Sequence, residues 1–176
     1  MASLLEQRYE EETQRVRGNP SSPLRRSTDI ALRVTLDGDT RRVFQAVTVP
    51  EFREAWICEP YAGTGSRVIA SESADSYQLN FYREGNLYAS VSGAYQIVRR
   101  HKLVFTWCNR YSPFASSSPF ASSSKVRIRI EGYFQRSILA LYHTGIASED
   151  ESRWLTEMWG ASLNKLTTLF AVPCAG

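Results

Sequence analysis

Toward the C-terminal end, Leu155, Met158, Trp159, Leu163, Leu166, Leu169 and Phe170 recur at intervals of three and four residues, the spacing of one helix face. The pattern predicts a long amphipathic helix over 148–172. Ser148 followed by Glu151 is a capping box, and Glu149 and Asp150 put negative charge where the helix dipole favours it. Pro173 stops the element. Upstream the period changes to two. Ile30, Leu32, Val34 and Leu36 alternate with Ala31, Arg33 and Thr35, and Val126, Ile128 and Ile130 alternate with Lys125, Arg127 and Arg129. Each run is a strand with one face buried and the other wet.

Between these anchors, Asp37-Gly38 turns the chain and Asp39 caps a short helix carrying Val43, Phe44 and Val47. Thr48 and Pro50 restart a second, carrying Phe52, Ala55, Trp56 and Ile57. Further strands are predicted over 66–70, 77–82, 87–98, 102–108 and 137–143, with Glu84-Gly85-Asn86 as a turn and Gly93 marking a bulge or sheet bend. The order is strand, helical hairpin, more strands, long helix. It implies an α+β domain over 29–173, a curved antiparallel sheet of about six to seven strands wrapped around one C-terminal helix. Such a shape encloses a pocket. Residues 1–28 read as an N-terminal extension: Leu4, Leu5 and Tyr9 make one apolar stripe, and Gly18, Pro20, Ser21, Ser22 and Pro23 make a linker. It is either a tail or a helix packing on the domain or on a second subunit. The hexapeptide Pro-Phe-Ala-Ser-Ser-Ser occurs twice in tandem, at 113–118 and 119–124. Its composition cannot build a core, so it is a long loop, either a lid that dips Phe114 and Phe120 toward the pocket or a neutral insertion.

The run from Val43 to Glu51 with Trp56 resembles the opening helical signature of the family named after the activator of the ninety-kilodalton heat-shock protein ATPase. Gly93-Ala94-Tyr95-Gln96-Ile97 leading to Leu103-Val104-Phe105-Thr106-Trp107, then 139–145, then Trp159 through Leu166, match further family motifs in order. Together they span about residues 30 to 172. That family sits in the START and birch-pollen-allergen-like (SRPBCC) superfamily, so the resemblance implies a helix-grip fold with a cavity. It supplies no catalytic residue.

Composition narrows the field a little. No run of about 18 apolar residues exists and no apolar stretch follows the N-terminus, so neither a membrane span nor a signal peptide is expected, and a cytoplasmic protein is. The three cysteines, Cys58, Cys108 and Cys174, are odd in number and far apart, as reduced thiols are. The net charge of +3 is dispersed among acidic neighbours. The densest basic patch joins Arg99, Arg100 and His101 with Lys125, Arg127 and Arg129 and reads as a solvated sheet face, not as a nucleic-acid site.

Candidate chemistry is sparse. With only His101 and His143 and no cysteine pair at ligand spacing, no metal site and no cofactor are expected. Gly63-Thr64-Gly65-Ser66 lacks the lysine of a phosphate loop. His143, at a strand end before Thr144-Gly145, is either an imidazole at a cavity rim, able to bond a ligand or move a proton, or a satisfied structural histidine. Ser162 interrupts the apolar helix stripe and needs a backbone acceptor within the helix or a ligand. The inward aromatics Trp56, Tyr77, Phe81, Tyr95, Phe105, Trp107 and Trp159, with Leu141, Leu155 and Met158, complete the candidate ligand-binding set. The leading reading is a non-catalytic binder of a small hydrophobic, aromatic or lipidic molecule. Two alternatives rest on the resemblance: a co-chaperone-like module contacting a chaperone, or a cyclase- or aromatase-like enzyme using the same cavity. Self-association stays open.

Overall fold

In the computed structural model, which describes residues 28–59, 65–111 and 123–171, the period-2 runs become seven strands. They are β1 (Ile30–Leu36), β2 (Arg67–Ser73), β3 (Ser76–Arg83), β4 (Asn86–Arg99), β5 (Lys102–Tyr111), β6 (Ser124–Tyr133) and β7 (Arg136–Thr144). All pair antiparallel in the order β1-β7-β6-β5-β4-β3-β2. Register puts the apolar set on one face: Leu32, Leu141, Ile128 and Leu103 form one rung across four strands. Shifting any strand by one residue would turn that set outward, so the core fixes the register.

The two edge strands, β1 and β2, follow each other in sequence. The chain therefore has to cross the whole sheet between them, and α1 (Thr40–Thr48) and α2 (Pro50–Trp56) make the crossing. Asp39 caps α1 by accepting the Arg42 N–H at 2.7 Å, and Pro50 opens α2. The long helix α3 (Glu149–Ala171) closes the core. Its first turn is capped as the sequence implies, Ser148 Oγ accepting the Glu151 N–H at 3.2 Å. Leu155, Met158, Trp159, Leu163, Leu166 and Phe170 are buried, and Trp154 joins them. Leu169 is the exception at 41% exposed, because it lies on the flank of the stripe. Among the described residues no helix is long and apolar enough to cross a membrane.

Two further expectations need correction. Phe52 is 51% exposed and Ala55 is exposed, while Arg53 is buried beside Trp56. Trp56 and Ile57 face the core as expected, but the buried side of α2 is turned toward Arg53 and away from Phe52 and Ala55, because Arg53 finds polar partners there. Several strands also run further than alternation predicted, β5 by three residues past Cys108. The bend expected at Gly93 is present: β4–β5 register shifts at Ser90/Val91 and again at Tyr95/Ile97, and a Cβ at Gly93 would stand 1.9 Å from the Thr106 carbonyl oxygen. Only glycine permits that approach. The extension before Thr28, Gly63-Thr64, most of the hexapeptide duplication and Pro173 lie outside the described residues.

Candidate functional site

Trp56, Tyr77, Tyr95, Phe105, Trp107 and Trp159 come together around one internal cavity, with Val47, Arg53, Ile57, Leu79, Leu103 and Ile128 completing its lining. The aromatic rings interlock. Trp159 lies 5.1 Å from Trp107 and 6.5 Å from Trp56 between ring centres, and Tyr77 meets Phe105 edge-on at 5.3 Å. The cavity is about 10 Å³, space for a single water. In this state the interior is closed. Phe81, Leu141, His143, Leu155, Met158 and Ser162, the rest of the expected ligand set, are buried in the surrounding core but do not line the cavity.

His143 is not at a rim. It is 0% exposed, and both ring nitrogens are engaged. Trp159 Nε1–H donates to Nδ1 at 3.1 Å, so the neutral ring carries its proton on Nε2. That proton points to Ser124 Oγ, 2.7 Å away, and Ser124 Oγ–H donates in turn to the Trp107 carbonyl at 3.2 Å. The chain of three bonds ties α3 to β7, β6 and β5. Burial pushes the imidazole down to about 3, so it stays uncharged and has no free nitrogen with which to move a proton. Ser124 was missed because it ends the serine-rich repeat. The parity of Val126, Ile128 and Ile130, carried one step back, would have placed it inward.

Ser162 uses neither partner expected of it. Its Oγ accepts the Cys58 N–H at 3.0 Å and donates to the Cys58 carbonyl at 3.2 Å, so α3 clamps the backbone just after α2. Replacing Ser162 by alanine leaves that N–H and C=O without partners and is expected to cost about 1 to 3 kcal/mol in urea unfolding. Amide exchange at Cys58 should quicken while the centre of α3 stays protected; unchanged exchange at Cys58 would show that the clamp does not hold the segment.

The second fastening of α2 is charged. Arg53, 5% exposed, donates from Nη2 to the Thr48 carbonyl at 2.8 Å and pairs with Glu72 on the edge strand β2. Tyr95 donates its hydroxyl to the same Glu72 oxygen, and the guanidinium lies 5.7 Å from the Tyr95 ring centre and 5.8 Å from that of Tyr77. Burial holds both phenols above their usual value, so they remain neutral donors, Tyr77 to the Thr106 carbonyl at 2.7 Å. Burial also pulls Arg53 below its usual value, with Tyr95 opposing. The only sequence signal for Arg53 was its three-residue spacing from Trp56, which competed with the four-residue spacing of Phe52.

Outside α2 lies an open groove of about 590 Å³, lined by Glu54, Ile57, Cys58, Glu59, Ser66, Arg67, Val68, Ile69 and Lys165. Ile57 belongs to both linings. The wall between groove and interior is thus one residue thick at Ile57.

Residues 38–171 match the family model described as activator of Hsp90 ATPase homolog 1-like protein. No curated protein matches the chain in sequence. Among solved structures, a protein from Chromobacterium violaceum is 17% identical and superposes with a TM-score of 0.68, covering 82% of this chain and 98% of that one. The AHSA1 protein from Silicibacter pomeroyi is 20% identical with a TM-score of 0.66, covering 81% and 97%. A Staphylococcus epidermidis protein is 13% identical with a TM-score of 0.62, covering 86% and 93%. At these identities the likeness is one of fold.

Proposed function

This chain belongs to the activator of Hsp90 ATPase homolog 1-like family, and on that premise we propose that it binds a small planar apolar molecule in the interior between sheet and α3. The observation that carries the reading is the convergence of six aromatic side chains on one cavity. A ligand of two fused rings needs on the order of 150 Å³, so binding requires the interior to open. The wall most easily displaced is α2 with Ile57. It is fastened by side-chain bonds at Arg53–Glu72, Cys58–Ser162 and Glu54–Ala70 and breaks no ladder of the sheet when it moves. The opening cost lowers the apparent affinity in proportion to the population of the open form.

Naphthalene titrated into ¹⁵N-labelled protein tests this. The indole N–H signals of Trp56, Trp107 and Trp159, all in the lining, are expected to move together, while that of Trp154, packed against Phe81 at 6.3 Å, stays in place. No shift at saturation, or shifts confined to Trp154 and surface amides, would remove the interior site.

A further inference from the structure

Arg53 is the single charged residue in the cavity lining. Its Nε–H is buried and has no hydrogen-bond partner. A buried guanidinium donor left unpaired is costly, more so because it is charged. Arg53 has two acceptors, the Thr48 carbonyl and Glu72, and only Glu72 is charged. One oxygen of Glu72 receives both the Arg53 Nη2–H and the Tyr95 hydroxyl. Glu72 is 29% exposed at its side chain and sits on the edge strand, so it can swing out to water, whereas Arg53 cannot leave. The carboxylate of Glu72 therefore marks a place where a carboxylate is held on Arg53 and Tyr95, two side chains that line an otherwise largely apolar, aromatic cavity.

We propose that the molecule bound here carries one carboxylate on its planar apolar body, and that this carboxylate replaces that of Glu72 on Arg53 and Tyr95 while also taking the unpaired Nε–H. This rests on the interior site proposed above. Bidentate geometry favours arginine over any other cation for the task, since its planar fork presents two parallel donors. In the empty protein Glu72 is a competitor from within the chain, which keeps the guanidinium neutralised until ligand arrives.

The test compares 2-naphthoate with naphthalene, both followed by the indole N–H signals, on the wild-type protein, Glu72→Gln and Arg53→Met. Glu72→Gln retains an acceptor for both donors but removes the competing charge. It is expected to tighten 2-naphthoate at least about tenfold more than naphthalene, whose own gain reports only the loosened fastening of α2, the difference being that expected of one charge-assisted bond. Arg53→Met keeps length and apolar packing and is expected to abolish any preference for the acid. If Glu72→Gln strengthens both probes equally, the pair is only a fastening of α2 and the carboxylate inference fails while the interior site stands. If Arg53→Met does not fold, the glutamine variant decides alone. If neither probe moves the three indoles in any variant, both readings fall.

Discussion

Trp159→Ala is expected to leave little folded protein at room temperature. The ring is 1% exposed and packs on Trp56 and Trp107. Its loss costs about 3 to 5 kcal/mol through burial and the void left behind. The same change strips His143 Nδ1 of its donor in a site that water does not reach, at a further cost of about 1 to 3 kcal/mol. The sum is comparable to the whole stability of a domain, roughly 5 to 15 kcal/mol. Trp159→Phe separates the two terms. It keeps an aromatic filling and loses the N–H, so it should stay folded and unfold in urea at lower concentration. If alanine costs no more than phenylalanine, the ring is not the keystone of the core and the packing argument is wrong.

Acid should destabilise the fold through His143 in a defined window. The unfolded ring takes its proton below its ordinary value of 6.5, the folded ring only below about 3. Between those values the unfolded state holds the extra proton, so stability falls as pH falls. Above 6.5 both states are neutral, and below about 3 both are charged, so the slope vanishes at either end. Within the window the slope is about 1.4 kcal/mol per pH unit, and the whole loss roughly 4 to 5 kcal/mol. The measurement is urea unfolding from pH 7.5 to 4 on the wild-type protein and His143→Gln. Carboxylates titrate in both, so the difference between the two curves isolates the imidazole. Parallel curves would mean that His143 is protonated while still folded, against the sealed network.

Much of this was legible in the sequence because it depends on period. The α3 stripe, the strand faces of β1 and β6, the Asp39 cap and the bend at Gly93 follow from side-chain direction and backbone sterics, which act locally. The aromatic lining was legible for the same reason, since Trp56, Tyr77, Tyr95, Phe105, Trp107 and Trp159 fall at inward parity. What period cannot encode is pairing across the fold. Ser162 with Cys58, Ser124 with His143, and Arg53 with Glu72 join residues far apart in the chain. In each case local rules pointed elsewhere: to a helix carbonyl for Ser162, to a loop for Ser124, to solvent for Arg53. Hydrophobicity preferred Phe52 inside, and three polar bonds to Arg53 and its neighbours decided otherwise. Cavity size was beyond reach too, because it depends on how eight or more large side chains tilt against one another, not on which face they occupy.

The hexapeptide duplication has a consequence in terms of mutational history. Its final residue, Ser124, is the one that bonds His143, and the residue at the matching place in the first copy, Ser118, is identical. Deleting either copy therefore still leaves a serine directly before Lys125. β5 runs four residues past Trp107, the partner of Ser124, so the shortened link would need to span about 15 Å, within reach of six residues. Gain and loss of the repeat are thus reversible steps that never pass through a chain lacking the serine. A chain with one copy and a chain with two thus offer the same serine to His143.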